Sequence, residues 1–187
     1  RIRPHFLFNS MNTIAALTRS NAQAAEQAVE DLADLFRASL RDGRQLIPLR
    51  EELEIARVYE RMEQHRLGDR LQVDWQLGPL PEDTPVPGLV IQPLLENAIY
   101  HGIEPMPQPG RIQVSGESVD GMVRISVSNP LPPSASAPRH GNRIALDNIR
   151  EGLKSHYYYP TSANPFLTTV TLRSGRIINI ERVRKLQ

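Results

Sequence analysis

The spacing of apolar residues changes once along this chain, near residue 70, and the change divides it. From Pro4 to Leu17 apolar side chains fall at Leu7, Met11, Ile14 and Leu17, with no glycine and no proline after the first turn. That three-to-four-residue spacing predicts a helix. Asn21 reads as the cap of a second helix, whose Ala25, Ala28, Leu32, Leu35, Phe36 and Leu40 make one stripe that Gly43 ends. Pro48 stands where a first-turn proline belongs, and a third helix carries Leu49, Leu53, Ala56 and Met62 before fading at Gly68-Asp69. Its Glu51 and Glu52 lie near its own positive end.

At Leu71 the period becomes two. Leu71, Val73, Trp75 and Leu77 alternate with Gln72, Asp74 and Gln76, as in a strand with one buried face. The proline-rich run from Pro79 to Pro87 reads as a loop, and Leu89 to Tyr100 as a helix. Arg111–Ser115 and Met122–Ser128 alternate as strands joined by a turn at Asp120-Gly121. Residues 130–140, rich in Pro, Ser and Ala, read as a loop, 143–155 as a helix, and Phe166–Leu172 with Ile177–Ile180 as a closing hairpin around Ser174-Gly175. Tyr157-Tyr158-Tyr159 finds no place in this scheme. Helices first, then strands interleaved with helices, is an α+β pattern, with a boundary that separates 1–67 from 68–187.

Composition removes several classes of function. A net charge of +1 over 187 residues leaves no electrostatic footprint for nucleic acid, so direct nucleic-acid binding is not expected. The absence of cysteine excludes disulfides and thiol catalysis. No His-x-x-x-His spacing, phosphate-binding loop or serine nucleophile elbow is present. The chain opens on Arg1, inside a motif, which reads as the interior of a longer protein.

Two segments carry the candidate chemistry. In Arg3-Pro4-His5-Phe6-Leu7-Phe8-Asn9 a single imidazole follows a proline at the head of a helix. Alone, His5 reads as a helix residue packed among aromatics. A solvent-facing imidazole there would also suit phosphoryl acceptance, since one neutral ring nitrogen is a nucleophile. The second segment, Gln92-Pro93-Leu94-Leu95-Glu96-Asn97-Ala98-Ile99-Tyr100-His101-Gly102, reads alone as an amphipathic helix.

Together, and in this order, these segments resemble the phosphoacceptor box and the asparagine box of the LytS-type sensor histidine kinases. The resemblance runs over Arg1 to Leu153. It implies a dimerising helical hairpin followed by a Bergerat-type ATP-binding α/β sandwich, in a homodimer anchored in the inner membrane by a preceding segment, with these residues on the cytoplasmic side. It further implies that His5 accepts the γ-phosphoryl group of ATP and passes it to a response regulator with a LytTR-type DNA-binding domain, within the control of alginate production and twitching motility. Asn97 would ligate magnesium, Glu96 would position a metal-bound water or contact the phosphoacceptor domain, and Glu96 or another carboxylate would serve as general base. His101 would stack on the nucleotide.

The departures are specific. Where the family has Asp-x-Gly after the hairpin strand, this chain has Asn129-Pro130-Leu131, so the acceptor for the adenine amino group is uncharged. In the second glycine box Gly141 survives, but Arg143 and Ala145 replace further glycines. Arg143 would offer a guanidinium fork to phosphate in their stead. Tyr100 stands where a lysine is common. These changes keep a rival reading open, in which a degenerate transmitter binds nucleotide poorly and acts as a docking scaffold or phosphatase for its regulator. A Bergerat-fold ATPase of another kind, a chaperone or topological enzyme, is the remoter third.

Overall fold

A computed structural model of the chain describes residues 4–41, 45–130, 166–173 and 176–184. Two helices come first, α1 (Pro4–Ser20) and α2 (Ala22–Leu40), separated by Asn21 alone. The Asn21 side chain accepts from the backbone N–H of Ala24 at 3.1 Å, the cap that its residue type predicts. A short strand β1 (Leu46–Pro48) leads into α3 (Leu49–Leu67), which runs antiparallel to α2. Arg41 pairs with Glu51 at one end of these two helices, and Asp31 takes a two-pronged contact from Arg61, at 3.1 and 3.0 Å, farther along. Phe6, near the start of α1, stacks on Tyr59 of α3, which places it at the level of that Asp31–Arg61 pair. So α1 doubles back along α2, and the three helices pack together.

The expected stripe of α2 is nearly right. Ala25, Ala28 and Leu35 are buried and Leu32 and Phe36 half-buried, but Leu40 is 83 % exposed, because α2 ends there. Gly43, read as the stop, lies outside the described residues.

After a single 3-10 turn (Gly68–Arg70) come β2 (Leu71–Leu77), β3 (Pro85–Pro87), α4 (Ile91–Gly102), β4 (Gly110–Val119), β5 (Met122–Asn129), β6 (Phe166–Arg173) and β7 (Arg176–Arg184). Five strands form one sheet in the order β2-β4-β5-β6-β7, with β2 parallel to β4 and the rest antiparallel. A parallel pair needs a crossover, and the segment containing β3 and α4 supplies it. Asp120 and Gly121 both have positive φ, 53° and 71°, the backbone that a two-residue hairpin loop demands.

Two short strands depart from the sequence reading: β1, where no strand was expected, and its partner β3. Pro79–Pro87 is not all loop: its last three residues are β3, antiparallel to β1, with Val86 opposite Ile47. Prolines on both sides of Val86 hid the strand, since a proline donates nothing to a ladder and signals a loop. On a two-stranded edge that loss is tolerated, and Val86 and Ile47 are both buried.

The core lies between the sheet and two helices. Ile112, Val114, Ile125, Val127, Val170 and Leu172 of the sheet belong to one core with Leu94, Leu95 and Ile99 of α4 and Leu53, Ala56 and Met62 of α3; α4 packs on β4 and β5, and α3 packs on α4 and β2. The change of period predicts the helical region followed by strands and helices, and the α/β sandwich is what the resemblance implies. Among the described residues no helix is long and apolar enough to cross a membrane. The expected loop at 130–140 and the helix at 143–155 lie, but for Pro130, outside the described residues.

Candidate functional site

His5 sits in the first turn of α1 and is exposed. Its neighbours explain why. Phe6 is only 6 % exposed and lies against Tyr59, ring centroids 4.9 Å apart, whereas Phe8 is 67 % exposed. Phe6 therefore seats the helix end, and the adjacent position on the helical wheel turns His5 to solvent. The reading of His5 as a residue packed among aromatics does not hold. One turn on, Asn9 lies on the same helical face, its Nδ2 3.2 Å from His5 Nδ1.

The second segment forms α4, as its apolar spacing predicts. Leu94, Leu95, Ala98 and Ile99 are buried. Asn97, Tyr100 and His101 are half-buried, and the His101 ring meets Tyr100 edge-on at 4.9 Å. Glu96 is buried, and its Oε2 accepts from Gln92 Nε2 at 3.1 Å. Its charge, together with that of Glu104, helps to push up the Glu63 carboxyl of α3, although burial of Glu63 is the larger cause. Glu96 thus lies toward α3.

Asn129 ends β5, buried, with its Nδ2 donating to the Pro130 carbonyl at 2.8 Å. Gly102 brings it against α4. A Cβ at Gly102 would stand 2.6 Å from Asn129 Nδ2 and 2.9 Å from both Asn129 Cβ and the Pro130 carbonyl oxygen. The glycine is required by this approach, which sets Asn129 against the last turn of α4, the turn that also carries His101. Gly102→Ala should cost about 1–3 kcal/mol of stability through overpacking and displace Asn129. Thermal denaturation measures the first effect, and the Asn129 side-chain amide resonance the second.

How α4 is held was not legible in the sequence. Its N-cap residue, Val90, offers no capping side chain. The cap comes instead from Glu52 of α3, whose carboxylate accepts from the backbone N–H groups of Leu89 (2.8 Å), Val90 and Ile91 (2.7 Å). Glu52 was expected to serve the positive end of its own helix; it serves that of α4. Burial raises its carboxyl above the ordinary 4.5, against the pull of those three donors. At the other end, Arg70 Nη2 donates to the carbonyls of Ile103 (3.3 Å), Glu104 (3.2 Å) and Met106 (2.6 Å). Arg66 of α3 adds an ion pair to Glu104. A carboxylate at the N-terminus and a guanidinium at the C-terminus both complement the helix dipole. The one available signal was negative: Gly88-Leu89-Val90 contains no Ser, Thr, Asp or Asn, so the cap had to come from elsewhere.

The two motifs therefore meet through α3. Phe6 ties the His5 helix to it, and Glu52 and Arg66 tie α4 to it. Gly141 and Arg143 lie outside the described residues. For magnesium, the donor chemistry would fit: Asn97 would supply one hard oxygen, and this ion takes few protein ligands, completing its shell with phosphate oxygens and water.

The histidine kinase family model matches residues 1–71. The chain is similar to the sensor histidine kinase BtsS of Escherichia coli strain K12, 31 % identical over 177 residues, 92 % of this chain and 32 % of the relative. It is similar to the E. coli sensor histidine kinase YpdA, 34 % identical over 84 % of this chain and 29 % of the relative. It also resembles the sensor protein LytS of Bacillus cereus, 34 % identical over 82 % of this chain and 28 % of the relative. The chain spans about a third of the length of these relatives.

Proposed function

The chain belongs, through residues 1–71, to the histidine kinase family, and from that premise we propose that it is the transmitter part of a sensor kinase that moves the γ-phosphoryl group of ATP to His5. One observation carries the reading: a buried aromatic, Phe6, fixes the helix end while the imidazole beside it stays in solvent, where a phosphoryl donor can reach it. A histidine that served packing would be the buried member of that pair.

In this proposal ATP lies along α4 and the end of β5. Asn97 holds magnesium, Asn129 accepts from the adenine amino group, His101 stacks on the base, and Gly141 and Arg143 contact phosphate. Bound magnesium neutralises charge on the phosphates. The chain's own contribution is placement, because α4 is anchored at both ends and brings Asn97 to a set position. Glu96, beside Asn97 and accepting from Gln92, would supply a carboxylate to orient water at the magnesium site. Residues 1–67 act as the dimerising phosphotransfer unit and 68–187 as the nucleotide unit, with α3 of the first packed against α4 of the second. The proposal extends to a membrane-anchored homodimer and a LytTR-class response regulator, with output in alginate production and twitching motility.

A second reading keeps one specific observation. Asn129 is neutral, so its amide oxygen is a weaker acceptor than a carboxylate in that place. If that weakens nucleotide binding enough, the chain is a docking scaffold or phosphatase for its regulator. Calorimetry with magnesium and ATP separates the two. The kinase reading expects saturation below about 1 mM ATP and a loss of about tenfold or more in affinity for Asn97→Ala, seen only with magnesium. No heat of binding at any concentration would overturn it. Incubation with γ-labelled ATP should also leave acid-labile, alkali-stable label, the behaviour of a phosphorus–nitrogen bond.

A further inference from the structure

One stripe of α3 receives two other helices. Tyr59 and Glu63 follow Glu52 by seven and eleven residues, steps that return to the same face of an α-helix within about 20°. Glu52 holds the start of α4 through the N–H groups of Leu89, Val90 and Ile91. Tyr59 takes the ring of Phe6 from α1, and Glu63 feels the charge of Glu96 on α4. Arg61, on the opposite side of α3, reaches Asp31 of α2 instead. We propose that phosphoryl transfer runs within one chain, from ATP on its own α4 to its own His5, and that the Phe6–Tyr59 stack is the seat that holds the acceptor there. The inference rests on the reading of His5 as phosphoacceptor.

Height along α3 agrees with the shared stripe. The helix α4 runs in the same direction as α3, since Glu52 meets its start and Arg66 pairs with Glu104 just past its end. Asn97 lies six residues after Ile91, about 9 Å of helix, and Tyr59 lies seven after Glu52, about 10 Å. Asn97 and Tyr59 therefore stand at one level, and Phe6 brings His5 to it. His5 is exposed there, free of the packing that holds Phe6. The acceptor and the magnesium-binding asparagine of a single chain thus flank the same face of the same helix, and no second chain is needed to bring them together.

The step balances within the chain. The lone pair of the unprotonated ring nitrogen forms the bond to the γ-phosphorus. The bond from that phosphorus to the bridging oxygen breaks, and its electron pair leaves on ADP. The proton on the other ring nitrogen then passes to solvent. Phe6 and Tyr59 act on this step only through α1: they fix where the imidazole stands relative to the phosphate, which makes them positioning residues. In a homodimer each chain would then phosphorylate itself, and pairing would supply something other than the acceptor.

Two differently tagged forms of the chain, co-expressed and purified through both tags, give assemblies that contain one of each. His5→Gln paired with Asn97→Ala should take no more label from γ-tagged ATP than Asn97→Ala alone. Wild type paired with a chain carrying both substitutions should label its wild-type member at the ordinary rate. Transfer between chains predicts the reverse of both results, and either reversal overturns the proposal. If no such assembly forms, the labelling rate per chain should be unchanged by about a hundredfold dilution, and a rate that falls in proportion overturns it. The seat is read separately. Phe6→Leu should lower the labelling rate at saturating ATP by about tenfold or more, with KM for ATP unchanged. Tyr59→Phe, which keeps both rings, should retain most of the rate. An unchanged rate in Phe6→Leu overturns the role of the stack. A wild-type chain that never takes label sinks the phosphoacceptor reading instead, and the two failures are distinct.

Discussion

His5→Gln should take labelling from γ-tagged ATP to the background of the measurement, a loss on the order of a thousandfold or more, the scale on which removal of a nucleophile acts. Glutamine has similar reach and keeps polar groups at the helix surface, but its amide nitrogen has no basic lone pair to attack phosphorus. The comparison is clean for a structural reason. His5 is exposed, and the side chain that seats this end of α1 is its neighbour Phe6 on Tyr59. Circular dichroism and the melting temperature should therefore match the wild type, and ATP affinity should be unchanged because Asn97 and Asn129 lie on other elements. If His5→Gln kept its label, the phosphoryl group would reside elsewhere and the assignment of His5 would be wrong.

Glu52→Ala should have the largest effect on stability, about 3–5 kcal/mol, the cost of stripping a buried charged acceptor from its partners. Three backbone N–H groups, of Leu89, Val90 and Ile91, would lose their one acceptor, and Glu52 is fully buried, so water does not replace it without opening the structure. Leu89 adds to the cost. Its φ of 57° is a left-handed conformation that disfavours a residue with a Cβ by about 1–2 kcal/mol, and the bond from its N–H to Glu52 helps to hold it. The midpoint in urea should fall, with the far-ultraviolet signal of α4 lost first. The pH dependence has a defined sign. Burial holds the Glu52 carboxyl above 4.5, so the native state binds this proton more tightly than the unfolded chain. Its contribution is then most favourable below 4.5 and diminishes as pH rises through the raised value, levelling off above it. The difference in unfolding free energy between wild type and Glu52→Gln should fall over that window. A difference that rose with pH would mean that the three donors outweigh burial.

The elements were legible where one periodicity ruled a segment. Both flanks of Asp120-Gly121 alternate, and they are β4 and β5; Asn21 caps α2; Pro48 precedes α3. The strands that escaped, β1 and β3, are three residues long each, too short for a pattern, and β3 has prolines at both ends, residues that signal a loop. Of the site, the sequence named Asn97, His101 and Asn129 through a resemblance, and Gly102 lay within the same run. That Gly102 exists to admit Asn129 is visible only when α4 lies beside β5.

By itself, then, the order of residues determined the two motifs, their helices and the α+β succession, because these depend on neighbours within a few positions. Only the tertiary structure decided that His5 faces solvent while Phe6 is buried, and that Glu52, 37 to 39 residues from its partners, caps α4. A helix propensity or an alternation is a local energy, summed over adjacent residues. A carboxylate that satisfies the end of another helix is a long-range choice, fixed by which buried donors lack a partner of their own.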